Sequence, residues 1–199
     1  MNNRLLSLCL LLASLWAIAP PSHAEGTWDL DQLMQSLATT RTGHASFIEK
    51  KSIAILDKPV ESSGELFYNA PDRLEKRTLK PKAESMVLDK DKLIVEQRGK
   101  KHVLSLQSYP EIAAFIDSIR GTLAGDRTAL ERNYKLSMVG TQQDWNLNLL
   151  PLENKMKKVL TSIDISGSDN TLKTIAIKQA DGDSSVMMIT TLPTPLSAP

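Results

Sequence analysis

From residue 44 onward, turn residues divide the chain into short segments, and this division is the feature that most limits the fold. Asp57-Lys58-Pro59, Arg98-Gly99-Lys100 and Asp181-Gly182-Asp183 are typical turn sequences between apolar segments with a period of two. Connections this short cannot hold a crossover helix, so neighbouring strands are expected to pair antiparallel, as hairpins. About ten such strands are predicted.

Two longer segments show the apolar spacing of helices instead. In residues 29–40, Leu30, Leu33, Met34 and Leu37 form one apolar stripe, and Thr27 or Asp29 can cap the helix. A second helix is predicted over residues 111–123, with Pro110 at its start and Gly125 after its end. A short helix over 128–132 and one helical turn within 151–160 complete the prediction. Strands and helices together predict an α+β chain with a single domain, a large, strongly curved antiparallel sheet carrying helices on one face.

Several strands carry apolar side chains on both faces. In the segment 62–74, Leu66 and Tyr68 point to one side and Phe67 to the other, and the segment ends at Pro71. The segments 86–88, 93–95 and 175–177 show the same pattern. A β-sandwich would explain it, and so would helices that form a lid over a concave sheet with space beneath. The first strand, from about His44, is predicted to place Ala45, Phe47, Ile53 and Ile55 on one face.

The N-terminus has the layout of a secretory signal peptide. Arg4 precedes an apolar stretch over residues 5–18, and Ser22-His23-Ala24 fits a cleavage site. We expect residues 1–24 to be the signal peptide, with a retained anchor as the alternative. Cys9 is the one cysteine of the sequence and lies in this segment, so the mature chain is expected to have no disulfide.

Charge and motifs argue against several functions. The 24 Lys and Arg residues fall to 23 when Arg4 is removed, which equals the 23 Asp and Glu residues. A near-neutral chain is not expected to bind nucleic acid or an anionic membrane in general. No nucleophile elbow, zinc-protease helix or phosphate-binding loop occurs, and His44 and His102 stand alone. We therefore expect no enzyme activity, no metal and no cofactor. Arg73, Glu75, Lys76 and Arg77 form either a solvated strand face or a site for a lipid headgroup.

An ordered series of motifs resembles the LolA family of periplasmic lipoprotein carriers. After the N-terminal helix come ASFIEK (45–50), SGELFYNAPDRL (63–74) and VLDKDKLIV (87–95), and then WNLNLLP (145–151), IDI (163–165) and LKTIAI (172–177). The resemblance covers about residues 28–191. It implies an unclosed antiparallel sheet, a half-barrel with helices covering its concave face, and an apolar cavity for acyl chains.

The resemblance also implies a function and a site. A monomeric carrier in the periplasm would take a lipoprotein or other lipid from an inner-membrane exporter to an outer-membrane acceptor. The alternative is a periplasmic sensor or adaptor for a membrane export complex. Residues 25–192 would be the carrier domain and 193–199 a disordered tail. The expected cavity residues are Phe47, Leu66, Tyr68, Met86, Leu88, Leu93, Val95, Trp145 and Leu147, and the expected lid residues are Ile112, Phe115, Ile116 and Ile119.

The sequence departs from the family pattern at two places. Carriers of the main type have an arginine immediately before the motif proline, bonded to the lid, whereas this chain has Ala70 before Pro71. Arg73 does not occupy the matching position. Those carriers also continue into a further aromatic-rich strand where this chain has residues 192–199. The departures favour a side branch of the family.

Overall fold

The computed structural model describes residues 28–193, in which eleven antiparallel strands form one sheet. The strands are β1 (Thr42–Ser52), β2 (Val60–Asn69), β3 (Arg73–Lys80), β4 (Glu84–Asp89), β5 (Lys92–Gln97), β6 (Lys100–Ser105), β7 (Tyr134–Thr141), β8 (Asp144–Pro151), β9 (Leu160–Ser168), β10 (Thr171–Gln179) and β11 (Ser184–Thr191). The helices are α1 (Leu30–Leu37), α2 (Pro110–Ala124), α3 (Arg127–Glu131) and α4 (Asn154–Lys157).

The strand order shows how the chain builds the sheet. It runs β6-β5-β4-β3-β2-β1-β11-β10-β9-β8-β7, so β1 lies in the middle and β6 and β7 are the two edges. Consecutive strands pair as hairpins on both sides, and β1 and β11 join the two halves, with Phe47 opposite Ile189. The segment between β6 and β7, which contains α2 and α3, therefore crosses from one edge of the sheet to the other.

Local sequence fixes both main helices. Asp29 accepts a hydrogen bond from the Gln32 backbone amide at 2.9 Å, and the Gln32 side chain accepts one from the Asp29 amide at 3.1 Å, which together form a capping box. Pro110 occupies the first turn of α2, where its missing amide costs nothing. Gly125 ends α2 in the left-handed region, with φ of 64°.

The core fills one half of the concave face. Beneath α1, the buried side chains of β8 and β9 pack into the main cluster with Leu33 and Leu37. Leu147, Leu149, Ile163 and Ile165 of these strands are fully buried. On the β1–β6 side the cluster contains only Leu88, Leu93 and Leu106, among the described residues. Partly buried apolar side chains, including Leu74, Met86 and Ile116, pack against this smaller cluster, so this half of the sheet is less completely filled.

The predicted α+β class and the unclosed antiparallel sheet with helices are confirmed, with eleven strands rather than about ten. The helical turn predicted within 151–160 is α4. The prediction that Ile53 and Ile55 continue the first strand is wrong, because β1 ends at Ser52 and Ile55 is 89% exposed in the following turn. The predicted signal peptide, and the predicted tail beyond Pro193, lie outside the described residues.

A candidate ligand-binding cavity

A cavity of about 540 Å³ lies between the concave face of the sheet and α2. Tyr68, Leu74, Leu88 and Leu93 are successive cross-strand partners from β2 to β5, so their side chains share one face. All four line the cavity, together with Leu66 and Met86. Five of the predicted cavity residues are therefore brought together here: Leu66, Tyr68, Met86, Leu88 and Leu93.

The other four predicted cavity residues lie elsewhere. Phe47 is 2% exposed, and the Lys76 ammonium covers its ring at 4.8 Å from the ring centre. Trp145 and Leu147 belong to the main core cluster. Val95 packs against the small cluster that contains Leu88 and Leu93. The structure thus places these four side chains in packed regions beside the cavity.

Helix α2 closes the opposite side of the cavity. Phe115, Ile116 and Ile119 line it, together with Leu123 one turn further on. Ile112, on the first turn of α2, is 40% exposed and does not line it. Three of the four predicted lid residues thus face the cavity.

The sequence prediction missed the wall formed by β10 and β11. Leu172, Ile175, Ile177, Met187 and Ile189 line the cavity from these strands. The apolar pattern of residues 175–177 indicated two buried faces. However, pairing of β1 with β11 is a long-range contact, and no local signal places this wall opposite β2 and β3.

One ion pair lies in the mostly apolar wall. Lys76 of β3 donates to Glu49 of β1, with an Nζ–Oε2 distance of 2.6 Å. Both side chains are largely shielded from solvent, with 28% and 18% exposure. Of the charged cluster predicted on β3, Lys76 and Glu75 both line the cavity, and Glu75 is paired in turn with Arg73 and Arg77.

The opposite face of β2 is covered by a stack of side chains. The His44 ring lies parallel to the Phe67 ring, with centres 4.6 Å apart and planes inclined by 10°. The Arg77 guanidinium lies 4.6 Å from the centre of the same ring. Glu65 lies 3.6 Å from His44 Nε2. The Phe67 ring is thus covered by His44 and Arg77, and both His44 and Phe67 are also among the residues that line the cavity.

Two tyrosines on the helix side of the sheet are perturbed by burial. Burial raises the pKa of Tyr134 to about 12, and its hydroxyl donates to the Ala114 carbonyl oxygen of α2 at 3.2 Å. Burial also raises the pKa of Tyr68, opposed by the charge of Arg41 and supported by that of Asp72. Tyrosine is protonated at neutral pH even at its ordinary pKa of about 10, so the shifts matter only in strongly alkaline solution.

Helix α2 is also joined to the sheet at its solvent side. The Arg120 guanidinium donates to the Lys90 carbonyl oxygen in the β4–β5 turn at 3.1 Å, and it pairs with Asp117. Ala70, at the position of the family arginine, makes a backbone hydrogen bond from its amide to the Arg41 carbonyl oxygen at 2.8 Å. The hydrogen bond that joins α2 to the β4–β5 turn is thus donated by the Arg120 side chain of α2.

No cluster of three His, Cys, Asp or Glu side chains that could hold a metal ion occurs within residues 28–193. In the same range, no helix is both long and apolar enough to cross a bilayer.

Comparison with known proteins gives a family for the chain. The family described as outer membrane lipoprotein carrier protein LolA-like matches residues 22–194. No curated protein matches the sequence. Among solved structures, a LolA superfamily protein from Nitrosomonas europaea is 10% identical, with 84% of this chain and 94% of that chain covered and a TM-score of 0.46.

Two further solved structures resemble the chain at similar levels. A DUF1329 family protein from Desulfovibrio piger is 10% identical, with 85% and 92% coverage of the two chains and a TM-score of 0.49. The Pseudomonas aeruginosa MucA/MucB complex is 12% identical, with 84% and 57% coverage and a TM-score of 0.49. The family match itself extends over all of the described residues. The chain therefore belongs to the LolA-like family of outer membrane lipoprotein carrier proteins.

Proposed function

We propose that this protein is a periplasmic carrier that binds the acyl chains of a lipoprotein or another lipid and takes them from the inner toward the outer membrane. The observation that supports this most directly is the cavity of about 540 Å³, whose wall is formed mainly by apolar side chains of β2–β5, β10, β11 and α2. This volume lies within the range of ligand-binding pockets.

The apolar wall can supply enough binding energy. Burial of one methylene contributes roughly 0.8 kcal/mol, so ten methylenes would contribute on the order of 8 kcal/mol. This figure is an upper limit on the affinity, because the cost of displacing α2 and the loss of translational and rotational freedom of the lipid must be subtracted from it. The net affinity is therefore weaker than burial alone gives, which is compatible with release of the cargo.

Release would follow from movement of α2. This helix contributes Phe115, Ile116 and Ile119 to the cavity, so its displacement would expose both the cargo and the wall. A partner that binds the displaced form more tightly would shift the population toward release. We assign release to an outer-membrane acceptor and loading to an inner-membrane exporter. The carrier domain would be residues 25–192, after cleavage of residues 1–24.

Lipid uptake tests the proposal. Native protein purified from the cell envelope is expected to carry lipid that mass spectrometry detects, and delipidated protein is expected to take up a fluorescent derivative of hexadecanoic acid. Ile116→Asp places a carboxylate in the cavity and should weaken uptake at least about tenfold, because a charge resists burial against apolar groups.

The control is Ile112→Asp, one helical turn earlier. Ile112 is an isoleucine on the same helix that does not line the cavity, so uptake should change less than about twofold. Equal effects of the two substitutions, or wild-type protein that takes up no lipid, would contradict the proposal. Stable capture of one membrane protein by lipid-free protein would support the sensor or adaptor alternative instead.

A further inference from the structure

The concave face of β2–β6 changes from apolar to polar along the strands. Cross-strand partners form rows on this face, and successive rows are about 7 Å apart. The first row is mainly aliphatic: Tyr68, Leu74, Leu88, Leu93 and Leu104. Ala113 and Ile116 of α2 pack against the cluster that contains the leucines of this row. The apolar end of the face is thus the end that α2 covers.

The next two rows are increasingly polar. The second row is mixed: Leu66, Lys76, Met86, Val95 and His102. The third row has no large apolar side chain: Gly64, Thr78, Glu84, Gln97 and Lys100. In this row Gln97 donates to the Glu84 carboxylate at 2.7 Å. A lipid whose alkyl chain lies beneath α2 would therefore meet polar side chains at its other end.

The Lys76–Glu49 ion pair lies where the apolar and polar parts of this face meet. Lys76 Nζ donates to Glu49 Oε2 at 2.6 Å, and both residues line the cavity. Their side chains keep 28% and 18% exposure, so a ligand in the cavity can reach them. The ammonium has further N–H donors, and Glu49 Oε1 accepts no hydrogen bond from the described residues and is not fully shielded. The pair thus presents a donor and an acceptor side by side.

A hydroxyl group fits this pair better than the other polar groups of lipids do. Its one oxygen can accept from Lys76 and donate to Glu49 at the same time. Ester and ether oxygens only accept, and the N–H and C=O of a trans amide point in opposite directions. The charges on this face also balance, because Lys76 contacts Glu49, and Glu84 and Lys100 share a row. A charged head group would therefore lose hydration without meeting an opposite net charge.

We infer that the cavity prefers lipids with an uncharged, hydroxyl-bearing head group, and that Lys76 and Glu49 bind one of these hydroxyls. The alkyl chain then lies beneath α2, and the rest of the head group lies over the third row. The inference rests on the proposed function and adds the class of head group and the direction in which the lipid lies. Glycerol and sugar head groups share this chemistry.

Four decyl probes test the inference: 1-O-decylglycerol, decyl glucoside, 1-O-decyl-2,3-di-O-methylglycerol and decyl sulfate. The dimethyl compound keeps the oxygens of decylglycerol and loses its hydroxyl donors. Each probe is measured below its critical micelle concentration, by displacement of 1-anilinonaphthalene-8-sulfonate from delipidated protein. Wild-type protein should bind at least one hydroxyl probe about 5- to 10-fold more tightly than the dimethyl compound or the sulfate, after correction for transfer from water. The tighter of the two hydroxyl probes identifies the head group as glycerol or sugar.

The double variant Glu49→Met with Lys76→Met removes the pair and leaves no unpaired charge. Replacement of a buried ion pair by apolar groups of similar volume is often neutral for stability. The preference for the hydroxyl probe over the dimethyl compound should fall below about twofold.

A second ion pair on the same strands provides the matched control. Lys50 and Glu61 are cross-strand partners on β1 and β2, with 3.7 Å between Lys50 Nζ and Glu61 Oε2, and neither lines the cavity. Lys50→Met with Glu61→Met should leave the preference unchanged.

The outcomes separate the inference from the proposed function. Wild-type protein that binds the probes without a preference for hydroxyls overturns the inference and leaves the proposed function in place. So does wild-type protein that binds decyl sulfate most tightly, and neither result depends on whether a variant folds. A folded Glu49→Met, Lys76→Met variant that keeps the wild-type preference also overturns the inference. Wild-type protein that binds none of the probes contradicts the proposed function as well.

Discussion

Substitution of Gly64 by alanine should open the sheet between β2 and β3. A Cβ atom at Gly64 would lie 1.9 Å from the Arg77 carbonyl oxygen and 2.9 Å from its carbon. Both atoms belong to the backbone of the paired strand, next to the register shift between Ser63 and Gly64, so they cannot rotate away. Overpacking of this kind costs about 1–3 kcal/mol. Because the strands themselves must separate, we expect about 3 kcal/mol, or a fall in Tm of roughly 6–12 °C.

Gly43→Ala on the neighbouring strand is the matched control. A Cβ atom there would lie 3.6 Å from Tyr68 Cβ, an ordinary contact. The substitution should therefore stabilise the protein by up to about 1 kcal/mol, since alanine loses less backbone freedom on folding than glycine. Urea denaturation of both variants gives the free energies of unfolding. A Gly64→Ala variant within about 0.5 kcal/mol of wild type would refute the steric reasoning.

Three further predictions concern polar contacts near the cavity. Arg120→Ala removes the hydrogen bond to Lys90 and should lower stability by less than about 1 kcal/mol, while stopped-flow fluorescence should show faster dissociation of a bound fluorescent fatty acid. Lys76→Met leaves the Glu49 carboxylate unpaired and should destabilise by about 1–3 kcal/mol, with recovery in the double variant with Glu49→Gln, as measured by urea denaturation. Stability should fall between about pH 10 and pH 12, because the unfolded state loses the Tyr134 proton first, and Tyr134→Phe should flatten this part of the stability profile.

Each of these predictions has an outcome that contradicts it. Unchanged dissociation in Arg120→Ala would show that this contact does not hold α2 against the sheet. If the double variant is no more stable than Lys76→Met, Glu49 is not the group left unpaired. A stability profile above pH 10 that is the same with and without Tyr134 would assign the loss to other groups.

The sequence was sufficient for the strand order within each half of the sheet, because hairpin turns join neighbouring strands. It was also sufficient for both main helices, through the Asp29 cap, Pro110 and Gly125. These signals are local, and they report on structure formed by residues close together in the chain. The end of β1 was misplaced because Ile53 and Ile55 continue the period of two into a turn.

The position of the cavity depends on packing that local patterns do not contain. Trp145 was predicted to line the cavity because it is apolar and lies on a strand. Its ring instead packs against Gly167, and a Cβ atom added at Gly167 would lie 2.4 Å from that ring. Phe67 required cover on its own face, and that cover is His44 and Arg77, two residues whose polarity suggested exposure. Contacts of this kind, between residues far apart in the sequence, determine which half of the concave face is packed with side chains.

The segment between the edge strands has a mechanical consequence. Residues 106–133 connect β6 to β7, which lie at opposite edges of the sheet, and α2 lies within this segment. A single segment of the chain thus connects the two edges of the sheet and also carries α2. Any change in the distance between these edges would act on both ends of the segment, so we expect the width of the sheet and the position of α2 to change together.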